Sequence, residues 1–340
     1  MAFLDLYLNK ALVFPREPSV KFPRDHPHLF NLSDNLAFFS RFPLLPTTKP
    51  KVLFVLGSSG TGKSKLAVSL ALRFAGEVIN SDKMQVYDGL HVITNKVTAD
   101  ECAGVPHHLL GGVHPDADFS AAEFCCLATK IADEIVARGH LPIIAGGSNS
   151  YIKKLIGVDG GNFSRRYDCC FIWVDVDLTV LDEFVAERVD KMVEKGLLEE
   201  ARGIFDSAAD YTKGVRRSIG LPELDKYFRR EAEVDEAERT AMLEEAFGEI
   251  KANTCRLTRV QREKIRRFEV EDGWRLHRMD ATAAVVRRRE LCGGMVWEET
   301  VVGPSIETVR RFVGGAAAGF VSKRSRMVAV AMDTVVVGTT

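Results

Sequence analysis

The run Gly57-Ser58-Ser59-Gly60-Thr61-Gly62-Lys63-Ser64 restricts this chain more than any other part of its 340 residues. Two glycines flank four residues and a Lys-Ser pair follows, the pattern of a phosphate-binding loop. Successive backbone N–H groups and a helix N-terminus make a pocket for phosphate oxygens there. Lys63 adds a point charge, and the Ser64 hydroxyl is placed to coordinate Mg²⁺. The flanks supply the context the pattern needs. Val52-Leu53-Phe54-Val55-Leu56 is a continuous apolar run of the kind found in strands buried on both faces. After the loop, Leu66, Ala67, Leu70, Ala71 and Phe74 recur at helical spacing and predict a helix from about Lys63 to Ala75.

Further strands and helices alternate downstream. Val78 to Ser81 reads as a strand ending at Asp82, and Ser120-Ala121-Ala122-Glu123 is a capping box opening a helix to about Arg138. Gly139 ends that helix, Leu141 to Ala145 is a strand running into Gly146-Gly147, and Phe171 to Val174 leads to Asp175 and Asp177. Trp274 to Met279 is a last strand candidate. The pattern predicts an α/β fold, a phosphate-loop NTPase-like, doubly wound, mostly parallel sheet that binds ligands beyond its carboxyl edge. Between about 180 and 268 no strand signal occurs, and Leu181, Phe184, Val185 and Val189 form one helical stripe. The expected organisation is an extension over 1–46, an α/β domain over 47–180 and 251–300, a helical subdomain over 181–250 with loops near Gly203 and Gly214, and a tail over 301–340.

Composition removes several classes of function. A formal net charge of −1 gives no general attraction to nucleic acid or anionic membrane, so an anion site must be local. No apolar run reaches the roughly 18 residues that span a bilayer. The seven cysteines contain no Cys-x-x-Cys, which argues for structural thiols in a reducing compartment. Residues 1–46 carry six prolines without hydrophobic period, and Asp5, Glu17, Asp25 and Asp34 dilute any transit-peptide signal.

Among single residues, Asp82 ends a strand beside the phosphate loop and could ligate Mg²⁺, accept a proton or cap a helix. Asp175 and Asp177 read equally as turn residues or as a metal-binding pair. Residues 251–267 are basic, and a helical projection gives an apolar stripe of Leu257, Val260, Ile265 and Phe268. Arg259, Arg262 and Arg266 then fall on the solvated face, while Arg256, Lys264 and Arg267 flank the stripe within reach of substrate phosphates. Arg216-Arg217 after Gly214 is a phosphate clamp or a surface loop. His107-His108 has no third ligand at matching spacing and reads as polar packing or a substrate contact.

Taken together, these segments resemble the adenylate and tRNA isopentenyltransferases (dimethylallyltransferases). The likeness runs over about residues 51–282: the phosphate loop, I-N-S-D-K-M-Q-V-Y-D-G-L (79–90), T-N-K-V-T (94–98), V-P-H-H-L-L (105–110), F-S-A-A-E-F (119–124) and A-G-G-S-N-S-Y (145–151). R-V-D-K-M-V-E-K-G-L-L-E-E (188–200), G-V-R-R-S-I-G (214–220) and R-L-T-R-V-Q (256–261) complete it. The G-G-S-N-S-Y segment is similar to the plant cytokinin-forming branch, whereas Gly214-Val215-Arg216-Arg217 departs from that family's usual G-Y-R-Q.

The resemblance implies transfer of a dimethylallyl group from its diphosphate to the exocyclic N6 of adenine. It makes Asp82 the general base, with Lys63 and Arg216 stabilising the departing diphosphate. Residues 57–64 cradle that diphosphate, and Mg²⁺ sits on Ser64. Thr94, Lys96 and Ser148 line the acceptor side by resemblance, and Arg256 and Lys264 join them as candidates for acceptor phosphates. The expected partners are dimethylallyl diphosphate and ATP, ADP or AMP. Only Cys292 lies beyond residue 255, so the zinc finger with which eukaryotic tRNA-modifying members grip tRNA is not expected, and neither tRNA nor a membrane is an expected partner. A monomer is favoured, and the resemblance implies a plastid address with the cytoplasm as the alternative. Competing readings are the tRNA-modifying relative, a small-molecule kinase with the basic helix as a lid, and a non-catalytic nucleotide-gated module.

Overall fold

The computed structural model describes residues 49–157 and 162–314. The expected extension over 1–46 and the part of the expected tail beyond 314 lie outside the described residues. Six strands form one sheet: β1 (Lys51–Gly57), β2 (Gly76–Asn80), β3 (His107–His108), β4 (Leu141–Ala145), β5 (Asp168–Asp175) and β6 (Leu276–Asp280). Their order is β3-β2-β4-β1-β5-β6, and every pairing is parallel.

The apolar run of β1 explains its central place. Val52 through Leu56 are all fully buried, each side chain worth about 1.5–3 kcal/mol relative to exposure. Alternation sends Val52, Phe54 and Leu56 into one face's core and Leu53 and Val55 into the other's. Strands β2 and β4 lie to one side of β1, β5 and β6 to the other, so the winding reverses around β1 and a crevice opens at its carboxyl end. The phosphate loop begins there.

The longer helices are α1 (Lys63–Phe74), α2 (Ala121–Ala137), α3 (Asn149–Ile156), α4 (Leu178–Glu194), α5 (Leu197–Ile204), α6 (Pro222–Arg230), α7 (Glu236–Val270) and α8 (Gly303–Gly314). The Ser120 capping box forms as its sequence requires, with both reciprocal hydrogen bonds present. Gly139, at φ +76°, takes the left-handed turn after α2.

Four readings of the sequence change here. Helix α7, 35 residues long, runs unbroken through the 250/251 boundary despite Gly248, because Ala246 and Ile250 on either side of that glycine are held in the core. Its buried stripe is Met242, Ala246, Ile250, Thr254, Thr258, Gln261, Ile265 and Phe268, whereas Leu257 and Val260 are 38% and 45% exposed. Gln261 is polar because that stretch crosses the phosphate loop, where its side chain accepts the Ser59 N–H, while the buried Thr258 hydroxyl is satisfied by Cys255 O of its own helix. Gly203 belongs to α5 rather than to a loop. Part of the expected tail is core: Val301, Val302 and Val309 pack with Leu66 and Leu70 of α1.

His107 and His108 form the short edge strand β3 instead of a loop. His108 Nε2 lies 2.7 Å from Glu77 Oε2 and His140 Nδ1 2.7 Å from Glu77 Oε1. Arg138 donates to both Glu77 oxygens at 3.1 and 2.7 Å. Burial alone would raise the Glu77 carboxyl, but these hydrogen bonds outweigh it and hold the group at about 2. The histidine pair is polar packing beside β2, His107 against Val105 O and His108 against Glu77.

Candidate active site

The phosphate loop is held from behind and from above. Gly62 sits at φ +90°, and a Cβ there would lie 2.5 Å from the Trp297 ring. That indole comes from a short helix, Gly293–Trp297, and Lys65 Nζ stands 5.0 Å from the ring centroid. Thr61 Oγ1 donates to Ser58 O at 3.0 Å, and Lys63 Nζ donates to the same carbonyl at 2.6 Å. From above, helix α7 accepts the Ser58 hydroxyl at Thr258 O, 2.9 Å, and the Ser59 N–H at Gln261 Oε1, 2.8 Å. Ser64 is exposed on the first turn of α1.

Arg188 of α4 reaches the same loop. Its Nη2 donates to Ser59 Oγ at 2.9 Å, and its buried Nε has no partner among the described residues. Burial pulls Lys63 down to about 8, opposed by Asp82 and reinforced by Arg188. The same burial lowers Arg188, with Asp82 opposing. Two half-desolvated cations facing one carboxylate leave a positive excess, which is the electrostatic condition for binding an anion.

Asp82 follows β2 in a turn clamped by Asn80, whose Oδ1 accepts from Asp82 N at 3.2 Å and whose Nδ2 donates to Leu109 O at 2.9 Å. Asp82 Oδ1 accepts from Met84 N at 2.9 Å. Its Oδ2 faces the glycine turn: a Cβ on Gly147 would lie 3.4 Å from it. Gly146 is tighter, since a Cβ there would meet Ser81 C at 2.4 Å and Asp82 N at 2.7 Å. Ser148 completes the clasp by accepting from Lys83 N at 2.8 Å through Oγ and donating its own N–H to Ser81 O at 3.1 Å. Its hydroxyl therefore fixes the Asp82 segment through the backbone of Lys83.

A second group of cations gathers around Lys83, the chain neighbour of Asp82. Burial lowers the Lys83 ammonium, Arg217 and Lys264 add to the fall, and Asp82 opposes it. Burial raises the Tyr87 and Tyr151 phenols, with Tyr151 pushed up to about 12, and Arg217 acts against both shifts. Lys83, Arg217 and Lys264 therefore share one region with these tyrosines. Asp82 acts on a member of this group, Lys83, and on both members of the Lys63–Arg188 pair.

The arginine pair after Gly214 divides its work differently from the sequence expectation. Arg216 Nε donates to Asp116 Oδ1 at 2.9 Å and Nη1 to Ile204 O at 2.6 Å. It is a structural tie, and Arg217 is the one that faces the site. Consecutive residues of the 3₁₀ turn Gly214–Arg217 point about 120° apart, so only one of the two can face inward. Gly214 itself is required at φ +52°, because a Cβ would lie 2.3 Å from Pro115 O.

Thr94 and Lys96 also lie inside the loop framework. Thr94 Oγ1 donates to Leu90 O at 2.7 Å, and the buried Lys96 ammonium donates to Tyr87 O at 2.6 Å and to Gly89 O. Both polar tips are engaged by carbonyls of their own segment. Arg256 is exposed on α7, one end of a surface that continues to Lys264. Asp175 is 2% exposed and bound by Arg262 at 2.8 and 3.0 Å and by Arg278 at 2.9 Å. Arg262, read from sequence as solvated, is thus an internal partner. Asp177 caps α4 by accepting from Thr179 N at 2.9 Å.

With Asp175 saturated, the protein offers magnesium few oxygens, and no group of three or more His, Cys, Asp or Glu side chains among the described residues could hold a metal ion. That set suits Mg²⁺, which binds through one or two protein oxygens and keeps substrate phosphates and water as its other ligands. Ser64 would be the protein's contribution.

Sequence reasoning gave no role to Arg188, Lys83 or Gln261, and named Arg217 only as half of a pair with Arg216. Arg188 and Gln261 sit inside helical patterns that read as ordinary surface, and only the crossing of α4 and α7 over the loop turns them inward.

The IPP transferase family model matches residues 85–163 and 158–268. Adenylate isopentenyltransferase 3, chloroplastic, of Arabidopsis thaliana is 46% identical over 303 residues, covering 88% of this chain and 87% of that protein. Adenylate isopentenyltransferase 7, mitochondrial, of the same plant is 49% identical over 265 residues, covering 78% and 80%. Among solved structures, the full-length tRNA isopentenylpyrophosphate transferase from Bacillus halodurans superposes with a TM-score of 0.58 at 27% identity, over 74% of this chain and 98% of that one.

Proposed function

The chain belongs to the IPP transferase family, and from that premise we propose that it transfers a dimethylallyl group from dimethylallyl diphosphate to N6 of the adenine in ATP, ADP or AMP, the first step of cytokinin biosynthesis. One observation carries the mechanism: the Asp82 carboxylate acts electrostatically on Lys63 and Arg188, which touch the phosphate loop, and also on Lys83, which feels Arg217 and Lys264. Cations suited to two phosphate chains thus meet at one carboxylate that is unpaired among the described residues.

In this reading the donor's diphosphate lies in the loop 57–64, against Lys63 and Arg188. The acceptor's phosphates lie toward Lys83, Arg217 and Lys264. That arrangement aims N6 at the allylic carbon, beside Asp82 Oδ2. The N6 lone pair is delocalised into the ring and is a poor nucleophile until its proton has somewhere to go. As the new N–C bond forms, the C–O bond to diphosphate breaks and its electron pair leaves with the diphosphate. Asp82 takes the N6 proton as general base. The charge that grows on the leaving group meets backbone N–H groups, Lys63 and Arg188, preorganised and shielded from bulk water. Mg²⁺ carried by the phosphates and Ser64 would neutralise part of the same charge. Arg216, tied to Asp116, supports the turn that presents Arg217.

The test is mass spectrometry of products after incubation with dimethylallyl diphosphate and ATP, ADP, AMP or tRNA. An adenine nucleotide gaining one dimethylallyl group, with stoichiometric diphosphate release, is expected. Modification of tRNA alone would overturn the acceptor assignment. The chloroplastic and mitochondrial names of the relatives support an organellar address, and we read the plastid as the compartment. Residues 1–46 fused to a fluorescent reporter test it by import into isolated chloroplasts.

A further inference from the structure

The Gln261 side chain touches the phosphate loop and the glycine turn at once. Its Oε1 accepts from Ser59 N at 2.8 Å, and its Nε2 donates to Gly147 O at 3.0 Å. The orientation of the amide is fixed, because a backbone N–H can only donate and a backbone carbonyl can only accept. The side chain is 8% exposed, and its own main-chain carbonyl receives Asn149 Nδ2 at 3.0 Å from the start of α3. On the far side, Gly146 presses on Ser81 and Asp82, and Ser148 holds Lys83 N. The glycine turn and the Asp82 segment therefore cannot shift independently. On the near side, Ser59 belongs to the loop that closes around a phosphate.

We propose that Gln261 is a positioning residue that couples occupancy of the phosphate loop to the acceptor side of the cleft. A phosphate drawing on the Ser59 amide moves Gln261 Oε1, and the rigid amide passes that movement to Gly147, Asp82 and Lys83. The inference rests on the reading that the loop holds the donor's diphosphate.

The experiment measures ADP affinity by calorimetry with and without saturating inorganic diphosphate, and needs no turnover. The wild type should bind ADP at least about fivefold more tightly, or more weakly, when diphosphate is present, the size at which coupling between sites is normally read. In Gln261→Leu each ligand should still bind alone while the coupling factor falls to one. Gln261→Glu supplies a sharper readout. The ionised carboxylate accepts from Ser59 but cannot donate to Gly147, whereas the protonated acid does both. Coupling in Gln261→Glu should thus be absent at pH 8 and return toward the wild-type value measured at the same pH as the solution is acidified to pH 5. A role in folding alone would not follow protonation in this way. Independent binding of the two ligands by the wild type, or unaltered coupling in Gln261→Leu, would overturn the proposal. Diphosphate binding that is equal in the wild type and Lys63→Ala would instead remove its foundation, the assignment of the phosphate loop to the donor.

Discussion

Asp82 and Asp175 are two carboxylates at the same edge of one sheet, and they have opposite fates. Asp175, ending β5 beside the phosphate loop, is bound by Arg262 and Arg278 and 2% exposed. Asp82, following β2, accepts a backbone N–H at Oδ1 and turns Oδ2 toward the glycine turn, within electrostatic reach of Lys63 and Lys83 but bonded to no cation among the described residues. A carboxylate whose lone pairs are already filled by two guanidinium groups is a structural rivet. One held in place through its backbone and one oxygen is available for a proton. The comparison shows that position at a ligand-binding edge nominates a residue, while the saturation of its oxygens decides its use.

The largest effect should come from the available carboxylate. Asp82→Asn should lower kcat by about 10²–10⁴, the usual contribution of a general base, with the melting temperature within a degree or two of wild type. Loss of stability of the same order as the loss of rate would erase the contrast. Asp175→Asn should do the reverse. Leaving two arginines without their anion should cost about 3 kcal/mol, at the low end for a broken buried pair because Arg278 is half exposed, and kcat of the folded fraction should change little. Denaturant titration alongside active-site titration separates the two.

A third test concerns the cation on the Asp82 side of the loop. Lys63 is held near 8, below its unfolded value of 10.5, so between those values the folded chain binds fewer protons than the unfolded one. Its contribution to stability therefore rises with pH across that window, while diphosphate affinity should fall by about tenfold per pH unit above 8 as the charge is lost. Calorimetry in buffers of different ionisation enthalpy should detect proton uptake on binding there. The smallest effect distinguishes neighbours in one turn. Arg217→Ala should raise KM for ADP by about three- to tenfold, as expected for an exposed charged contact, with KM for the donor unchanged. Arg216→Ala should leave both KM values alone and lower the melting temperature.

Much of this architecture is legible in the amino-acid sequence. A buried run followed by glycines and Lys-Ser specifies β1, the loop and α1, because each depends on local chemistry: apolar alternatives, positive φ and a helix start. Asp82 is legible for the same reason, at a strand end beside that loop. The features that escape a linear reading are consequences of crossing. A helical projection turns the apolar Leu257 and Val260 of α7 inward, whereas the loop beneath takes its side-chain partner from Gln261 and a main-chain carbonyl from Thr258. A linear pattern favours Arg216 over Arg217 because it cannot say which of two neighbours in a 3₁₀ turn faces a cleft. Lys96 and Thr94 look like binding residues until the carbonyls of their own loop are placed around them.

The seat of Trp297 behind Gly62 has a consequence in time. A ribosome adding about 5–20 residues per second reaches residue 297 roughly 10–50 s after residue 62, and longer still before the indole clears the exit tunnel. Through that interval the phosphate loop exists as chemistry but lacks its back wall. The cradle encoded in eight residues is thus finished by a segment made long after it, and a nascent chain should acquire tight diphosphate binding only once Trp297 has emerged rather than when the loop itself emerges.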